Sequence, residues 1–252
     1  MIPAFQTHNG RIVRAITVQQ MREIDRIAVE ETGPNLLQMM ENAGRNLAEL
    51  SMEFLGLAGI DDPDARARIT VLAGTGNNGA GGICAARHLA NRGLSVRLCL
   101  SSPENLEEIP ELQYKIYKYT AGTVIAPGEL DEEPSDLILD ALLGYSMVGA
   151  PRQPVEQLIQ WMNDRQSETS PVLSLDIPSG LDATTGETPG VCVQSAATMT
   201  LAMPKTGLLP EHTGDLWLAD IGIPAETFQR AGISFFAFPG AFRHPLVPMQ
   251  TE

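Results

Sequence analysis

Behind Thr17, the apolar residues Val18, Met21, Ile24, Ile27 and Ala28 fall at three- and four-residue intervals. That is the spacing of a buried helix face with a capping hydroxyl in front of it. The run predicts a helix over residues 17–29, stopped by Gly33-Pro34. A second helical pattern over 35–55 carries Leu36, Leu37, Met39, Met40, Ala43, Leu47 and Leu50. Its methionines are read as core packing, because a flexible thioether fills irregular gaps. Beyond the acidic stretch 61–68, read as a surface loop, the pattern changes. Short apolar runs predict strands at 69–73, 95–100, 123–126, 136–143, 172–177, 198–203 and 215–219. Helices are predicted between them over 83–92, 103–119 and 155–163, the second opened by Pro103 and early acidic residues. Such alternation predicts an α/β fold with a mostly parallel sheet and helices on both faces. Residues 1–252 are read as one domain, with 1–16 and 239–252 as terminal arms, the Pro- and Phe-rich tail serving as an arm or a partner contact.

Charge narrows the ligand. The chain has 17 Lys and Arg against 31 Asp and Glu, a net charge of -14. General binding to nucleic acid or to an anionic membrane needs a basic surface, which this composition does not supply. An anionic small molecule must be held by local backbone dipoles or by a bound cation. Cys84, Cys99 and Cys192 lack metal-ligand spacing and sit in apolar runs, which predicts buried, reduced thiols. The start MIPAFQTHNG has no basic region followed by an apolar stretch, and no segment approaches 18 uninterrupted apolar residues. A soluble, cytoplasmic protein is the expectation.

The chemistry concentrates in three places. Residues 74–82 read GTGNNGAGG between the strand at 69–73 and a helix. A glycine-rich turn from strand to helix gathers backbone N–H groups around one concavity, an anion cradle, and Asn77 and Asn78 add side-chain amides. A tight structural turn is the alternative reading, because neither a P-loop nor a clear GxGxxG fingerprint fits. Asp140 lies inside the apolar strand DLILDALL, and Asp176 ends VLSLD before Pro178-Ser179-Gly180. A carboxylate in an apolar strand is costly unless it is paired, hydrogen-bonded or coordinating a cation. Loop capping is the alternative for both. In parallel sheets ligands bind at the carboxyl ends of strands near a topological switch point, which is where both carboxylates fall.

Other polar residues take plainer readings. His8, His88, His212 and His244 are dispersed, and His88 is read as a packing or surface residue. Lys205 is read either as a phosphate contact or as a solvated turn lysine. Ser179 lacks the GxSxG elbow of a hydrolase nucleophile, and Asp182 is read as fixing the turn.

The segments GNNGAGGICAARHL, DALLGYSMVGAP, LDIPSGLDATTG, AMPKTGLL and GDLWLADIGIP, in that order, resemble the YjeF N-terminal domain family, whose best-known activity is NAD(P)HX epimerase. The resemblance runs from the MREIDRIAVEETG helix to Ile223. It implies a Rossmann-like three-layer α/β/α sandwich, a homodimer and a bound potassium ion. It also implies interconversion of the R and S forms of hydrated NADH or NADPH, so that a partner NAD(P)HX dehydratase can repair them. The dehydratase domain that some members carry has no counterpart in these 252 residues.

Carried over by motif position, the resemblance assigns substrate contacts to Asn77, Asn78, Gly79, Ala80 and Gly81. It assigns further contacts to the phosphate-wrapping loop of Gly144, Tyr145, Ser146, Met147, Val148, Gly149 and Ala150, and to Asp176. The implied potassium ligands are Asn78, Asp140 and Ser179, whose hard oxygens suit such a cation. Epimerisation needs a proton donor and acceptor near the hydrated carbon, and Asp176 is the candidate acid/base. One departure stands out: where the family reads GNNGGDG, this chain has Gly81 in the acidic position. A catalytically degenerate nucleotide- or protein-binding member is the alternative, because the same architecture also serves an apolipoprotein-binding protein and a domain of an mRNA-decapping scaffold.

Overall fold

The structure is a computed structural model that describes residues 2–59, 67–130, 133–238 and 240–249. Most of the expected loop at 61–68 lies outside these residues. Seven parallel strands form the larger part of one sheet, with β5 at its edge: β3 (Arg68–Ala73), β4 (Ser95–Leu100), β5 (Thr123–Ile125), β6 (Leu137–Ala141), β7 (Val172–Leu175), β8 (Ala197–Leu201) and β9 (Asp215–Ala219). Antiparallel pairing adds β1 (Ala4–Thr7), β2 (Ile12–Arg14) and β10 (Arg243–Pro248), giving the order β2-β1-β10-β9-β8-β7-β6-β3-β4-β5. The stretches expected as terminal arms thus contain three strands of the sheet.

Alternation along the strands divides the core in two. Ile69, Val71, Leu137, Leu139, Leu173 and Leu175 point to one face and join the larger cluster, with Met39, Leu47 and Ile83. Those residues belong to α2 (Leu36–Phe54) and α3 (Asn77–Ala90). Leu72, Ile138 and Val172 point the other way, onto Leu158, Ile159 and Met162 of α5 (Val155–Arg165). This period of two explains why these strands read as unbroken apolar runs: both faces are covered. The remaining helices are α1 (Val18–Ile27), α4 (Glu108–Tyr117), α6 (Pro210–Thr213) and α7 (Ala225–Arg230). Thr17 caps α1 with a reciprocal Gln20 bond, and Asn35 and Gln38 cap α2 in the same way. Among the described residues no helix is long and apolar enough to cross a membrane.

Two helical boundaries differ from expectation. Pro103 opens only a short 3-10 turn, and α4 starts later, at Glu108. The glycine-rich stretch is the start of α3 rather than a loop leading to a helix at 83. Its glycines are required by close approach, because a Cβ on Gly79 would lie 2.0 Å from the Gly74 carbonyl oxygen, and one on Gly82 would lie 2.3 Å from Ala141 Cβ. A Cβ on Gly74 itself would lie 1.9 Å from the Leu142 carbonyl oxygen. The chain tolerates glycine within the helix because α3 packs directly on β3 and β6.

Gly79→Ala is therefore expected to cost about 2 kcal/mol or more, since backbone must move to admit the methyl group. A shift of the urea midpoint to lower concentration, with unchanged slope, checks this.

Candidate active site

The sheet order reverses between β3 and β6: the chain goes from β3 to β4 on one side and returns to β6 on the other. The loops that follow these two strands must part there, which opens a crevice at their carboxyl ends. A cavity of about 380 Å³ occupies it, lined by Gly74, Gly76, Asn77 and Asn78 from the first loop, Gly144, Tyr145 and Met147 from the second, and Asp176. The convergence is close. A Cβ on Gly144 would sit 3.3 Å from Asn78 Cβ and 3.7 Å from Asp176 Oδ2. Among the described residues no side chain caps the start of α3 at Gly76, and the first N–H groups of the helix, which have no partner within it, carry its positive dipole end.

Asp176 follows β7 with φ at +67°, and Ala202, beyond β8, has φ at +61°. For non-glycine residues that conformation costs of order 1–3 kcal/mol, a cost that surrounding contacts must hold in place. Those contacts are visible. Asp176 Oδ1 accepts from Lys205 Nζ at 2.5 Å and from Leu201 N–H at 3.3 Å, and Asp176 Oδ2 accepts from Tyr145 N–H at 3.3 Å. Lys205, 1% exposed, spends its other donors on the Leu201 carbonyl at 2.9 Å and Thr200 Oγ1 at 3.3 Å. It is neither a solvated turn lysine nor a free phosphate contact, because its ammonium is buried and committed to Asp176. Its Nζ also lies 5.6 Å from the centre of the Tyr145 ring. The Tyr145 hydroxyl in turn donates to Asp25 Oδ2 on α1. Burial pushes the Asp25 carboxyl above its ordinary range, with the Tyr145 hydrogen bond and the Lys205 charge opposing and the Asp176 charge reinforcing.

A second polar cluster lies on the α5 side of β6. Asp140 is 0% exposed, and four donors surround it. Ser179 Oγ (2.6 Å) and Leu142 N–H (3.2 Å) reach Oδ1, while Ser179 N–H and Ser174 Oγ (both 2.8 Å) reach Oδ2. Burial still raises the Asp140 carboxyl above its ordinary range, against the pull of these donors. Asn78 Nδ2 donates to the Leu143 carbonyl at 2.9 Å, and Ser179 Oγ lies 3.4 Å from the same carbonyl oxygen. Among the described residues the buried Asn78 Oδ1 atom has no hydrogen-bond partner. An orphaned amide oxygen on a side chain linked through the Leu143 carbonyl to a hydroxyl and a buried carboxylate offers oxygen donors of the kind a hard cation takes.

Comparison with known proteins gives the family of the chain. Residues 36–207 match the family model described as YjeF-related protein N-terminus. The chain belongs to this family. A NAD(P)H-hydrate epimerase of Dehalogenimonas lykanthroporepellens is 49% identical over 235 residues, 93% of each chain. One of Weissella koreensis is 33% identical, over 85% of this chain and 95% of its own. A bifunctional NAD(P)H-hydrate repair enzyme Nnr of Hyperthermus butylicus is 38% identical over 84% of this chain, which covers 39% of that longer protein. The crystal structure of yeast ynu0 superposes with a TM-score of 0.78 at 22% identity, over 94% of this chain and all of that one. It bears on the fold alone.

Within this YjeF-related domain, Asn77, Asn78, Gly144, Tyr145, Ser146, Met147 and Asp176 line one cavity. Gly79, Ala80 and Gly81 are buried inside α3 and do not line it, while Val148, Gly149 and Ala150 are exposed beyond its rim. Position 81 faces the protein interior, where a Cβ would meet Leu175 Cδ2 at 2.7 Å, with Ala43 Cβ at 3.7 Å. Asp140 and Ser179 sit one layer below the cavity, joined to it through Leu143 and Asn78. Asp182 accepts from the N–H groups of Thr184 and Thr185, which fixes the following turn. Sequence reasoning missed Asp25, although it lies one helical turn beyond the buried Met21, and both residues line the cavity. No sequence signal marks Lys205 as buried.

Behind α3, Glu41, Cys84 and His88 gather within 4.8 Å of one another. Arg87 Nη2 lies 2.6 Å from Glu41 Oε2, and Gln113 Nε2 lies 3.3 Å from it. A cation is therefore already built into this cluster, and burial pushes the Cys84 thiol far up, so it reads as a polar clamp between α2, α3 and α4. His88, read as a packing or surface residue, belongs to that clamp. All three cysteines are free, with Cys84 and Cys99 buried and Cys192 half-buried.

Lys205→Met is expected to destabilise the fold by about 3–5 kcal/mol, because it leaves the Asp176 carboxylate buried and unpaired. Urea denaturation measures the loss, and Lys205→Met combined with Asp176→Asn should recover part of it. Burial works against the Glu41 carboxylate, yet hydrogen bonds from Arg87, Cys84, Gln113 and His88 outweigh it and hold its pKa down at about 2. Its stabilising contribution is thus complete above the ordinary glutamate value of 4.5 and is lost as pH falls from there towards 2. Glu41→Gln should flatten that part of the stability-versus-pH curve.

Proposed function

We propose that this chain is an NAD(P)H-hydrate epimerase that interconverts the R and S forms of hydrated NADH and NADPH. The reading rests on Asp176, a carboxylate held at the wall of this cavity by a strained backbone and a buried lysine. The hydrated carbon carries a hydroxyl and is bonded to the ring nitrogen. Inverting it requires one of those bonds to open and re-form on the opposite face, with a proton taken and returned. Asp176 Oδ1 is occupied by Lys205 and Leu201, whereas Oδ2 receives a single long bond from Tyr145 N–H. Oδ2 is thus the oxygen with capacity to take the substrate's proton.

The first N–H groups of α3 and the loop from Gly144 onward hold the diphosphate. Asn78, Asp140 and Ser179 would hold potassium, with Asn78 Oδ1 supplying the oxygen that the protein itself leaves unpartnered. Potassium, when bound, offsets phosphate charge at the site. Gly81 removes no carboxylate from the cavity lining, since that position faces Leu175. The reading places the chain in the cytoplasm, as a homodimer, working beside an NAD(P)HX dehydratase. The fusion of a family domain into bifunctional NAD(P)H-hydrate repair enzymes supports that partnership.

Incubation of the protein with R-NADHX, with and without potassium, tests this by chromatographic detection of the S form. Exchange above the spontaneous rate is expected, faster with potassium, and Asn78→Ala should remove the potassium dependence. Asp176→Asn keeps an amide oxygen for Lys205 and is expected to bring exchange down to the spontaneous rate while remaining folded by circular dichroism. Nucleotide binding without exchange in the unaltered protein would select the binding-only alternative.

A further inference from the structure

Asp25 lines the same cavity as Asp176 and is joined to it through one residue. Tyr145 donates its backbone N–H to Asp176 Oδ2 and its hydroxyl to Asp25 Oδ2. Asp25, Tyr145, Asp176 and Lys205 all line the cavity. The tyrosine bond fixes Asp25 through Oδ2, while among the described residues Oδ1 has no hydrogen-bond partner. The helix carrying Asp25 is itself tied to the lysine turn: Ile16, just before α1, bridges Lys205, with Ile16 N–H to the Pro204 carbonyl at 2.9 Å and Thr206 N–H to the Ile16 carbonyl at 3.0 Å. The two carboxylates are held in one cavity by one shared framework.

We propose that Asp25 is the second proton-transfer residue of the site, a catalytic acid acting together with Asp176. The inference rests on the epimerase reading. In the forward step the substrate O–H bond breaks and its proton passes to Asp176. The freed electron pair forms a C=O bond as the ring C–N bond opens, and the nitrogen takes a proton from Asp25 Oδ1. Rotation about the adjacent C–C bond presents the other face, and closure returns each proton to its origin. Atoms and charge balance with no co-reactant.

The groups facing Asp25 fit this assignment. Tyr145 and Lys205 favour its carboxylate, whereas burial and Asp176 favour its protonated form, and burial is the largest influence. Arg22 on the same helix acts on the Tyr145 hydroxyl, and Glu107 lines the cavity. A group that must carry a proton gives activity that is lost as pH rises through its pKa. Removal of the Tyr145 hydroxyl takes away a bond that favours the carboxylate, so the alkaline limb should move to higher pH.

The test is the pH profile of R-to-S exchange for the unaltered protein, Asp25→Asn, Asp25→Glu and Tyr145→Phe, with melting curves for each. Expected are a fall in kcat of about 100-fold for Asp25→Asn with little change in KM, loss of its alkaline limb, and recovery of most of the loss by Asp25→Glu. Tyr145→Phe should keep the limb and displace it upward. This second variant reads out the assignment even where Asp25→Asn melts early. An active unaltered protein whose Asp25→Asn and Tyr145→Phe variants keep its kcat and its limb overturns the role of Asp25 alone. No exchange in the unaltered protein overturns both this role and the epimerase reading.

Discussion

The buried ion pair between Asp176 and Lys205 is the constraint around which the site is arranged. Two charges removed from water are tolerated only if they meet each other and if their remaining hydrogen-bonding capacity is satisfied. Every neighbouring element contributes to that condition. The turn after β7 takes a positive φ to aim the carboxylate, and the end of β8 supplies the Thr200 hydroxyl and the Leu201 carbonyl and N–H. Tyr145 N–H reaches Oδ2, and Ile16 fixes the lysine backbone from the N-terminal side. Because the pair is costly to expose, it holds four chain-distant segments in one register. The buried Asp176 carboxylate thereby keeps its direction at the cavity wall.

Close backbone packing sets the second condition. Gly74, Gly79 and Gly82 let α3 lie against β3 and β6 at distances that no side chain allows, which brings the Asn78 amide within reach of the Leu143 carbonyl. Through Leu143 and Ser179 the cavity floor is joined to Asp140, whose four donors leave it structured but still short of charge compensation. The unpartnered Asn78 oxygen lies on the same linkage. The glycines therefore act on the chemistry indirectly, by setting how deep the floor sits.

Much of this was legible in the sequence, and the reasons differ by element. Seven strands and the two N-terminal helices follow from apolar spacing, because burial on both faces or on one stripe leaves a direct imprint. The carboxylates Asp140 and Asp176 stood out since charge inside an apolar run demands compensation. The start of α3 was hidden because glycine has low helix propensity, and only tertiary packing against Ala141 and Gly74 overrides it. The outer strands are short and partly exposed, with Ile12 at 55% and Val247 at 59%, so their pattern carries little signal. Lys205 could not be placed: a lysine after an apolar strand reads alike whether its stem is buried or solvated.

The charge of the protein bears directly on how the site receives a dinucleotide. Asp25, Glu107 and Asp176 line the cavity, and Lys205 is the one cationic side chain in the lining among the described residues. Because Lys205 is already neutralised by Asp176, no free side-chain cation faces an incoming diphosphate in a protein of net charge -14. The α3 terminus offers roughly half a positive charge, less than a diphosphate carries. A hard cation beside Asn78 would close the difference, and it would do so without placing a second lysine or an arginine where it could pair with Asp176 Oδ2 or Asp25 and quench the proton chemistry proposed for them. An acidic cavity with a metal-borne counter-charge would keep binding and the proposed proton transfer on separate groups, which an arginine-lined cavity of the same shape could not do.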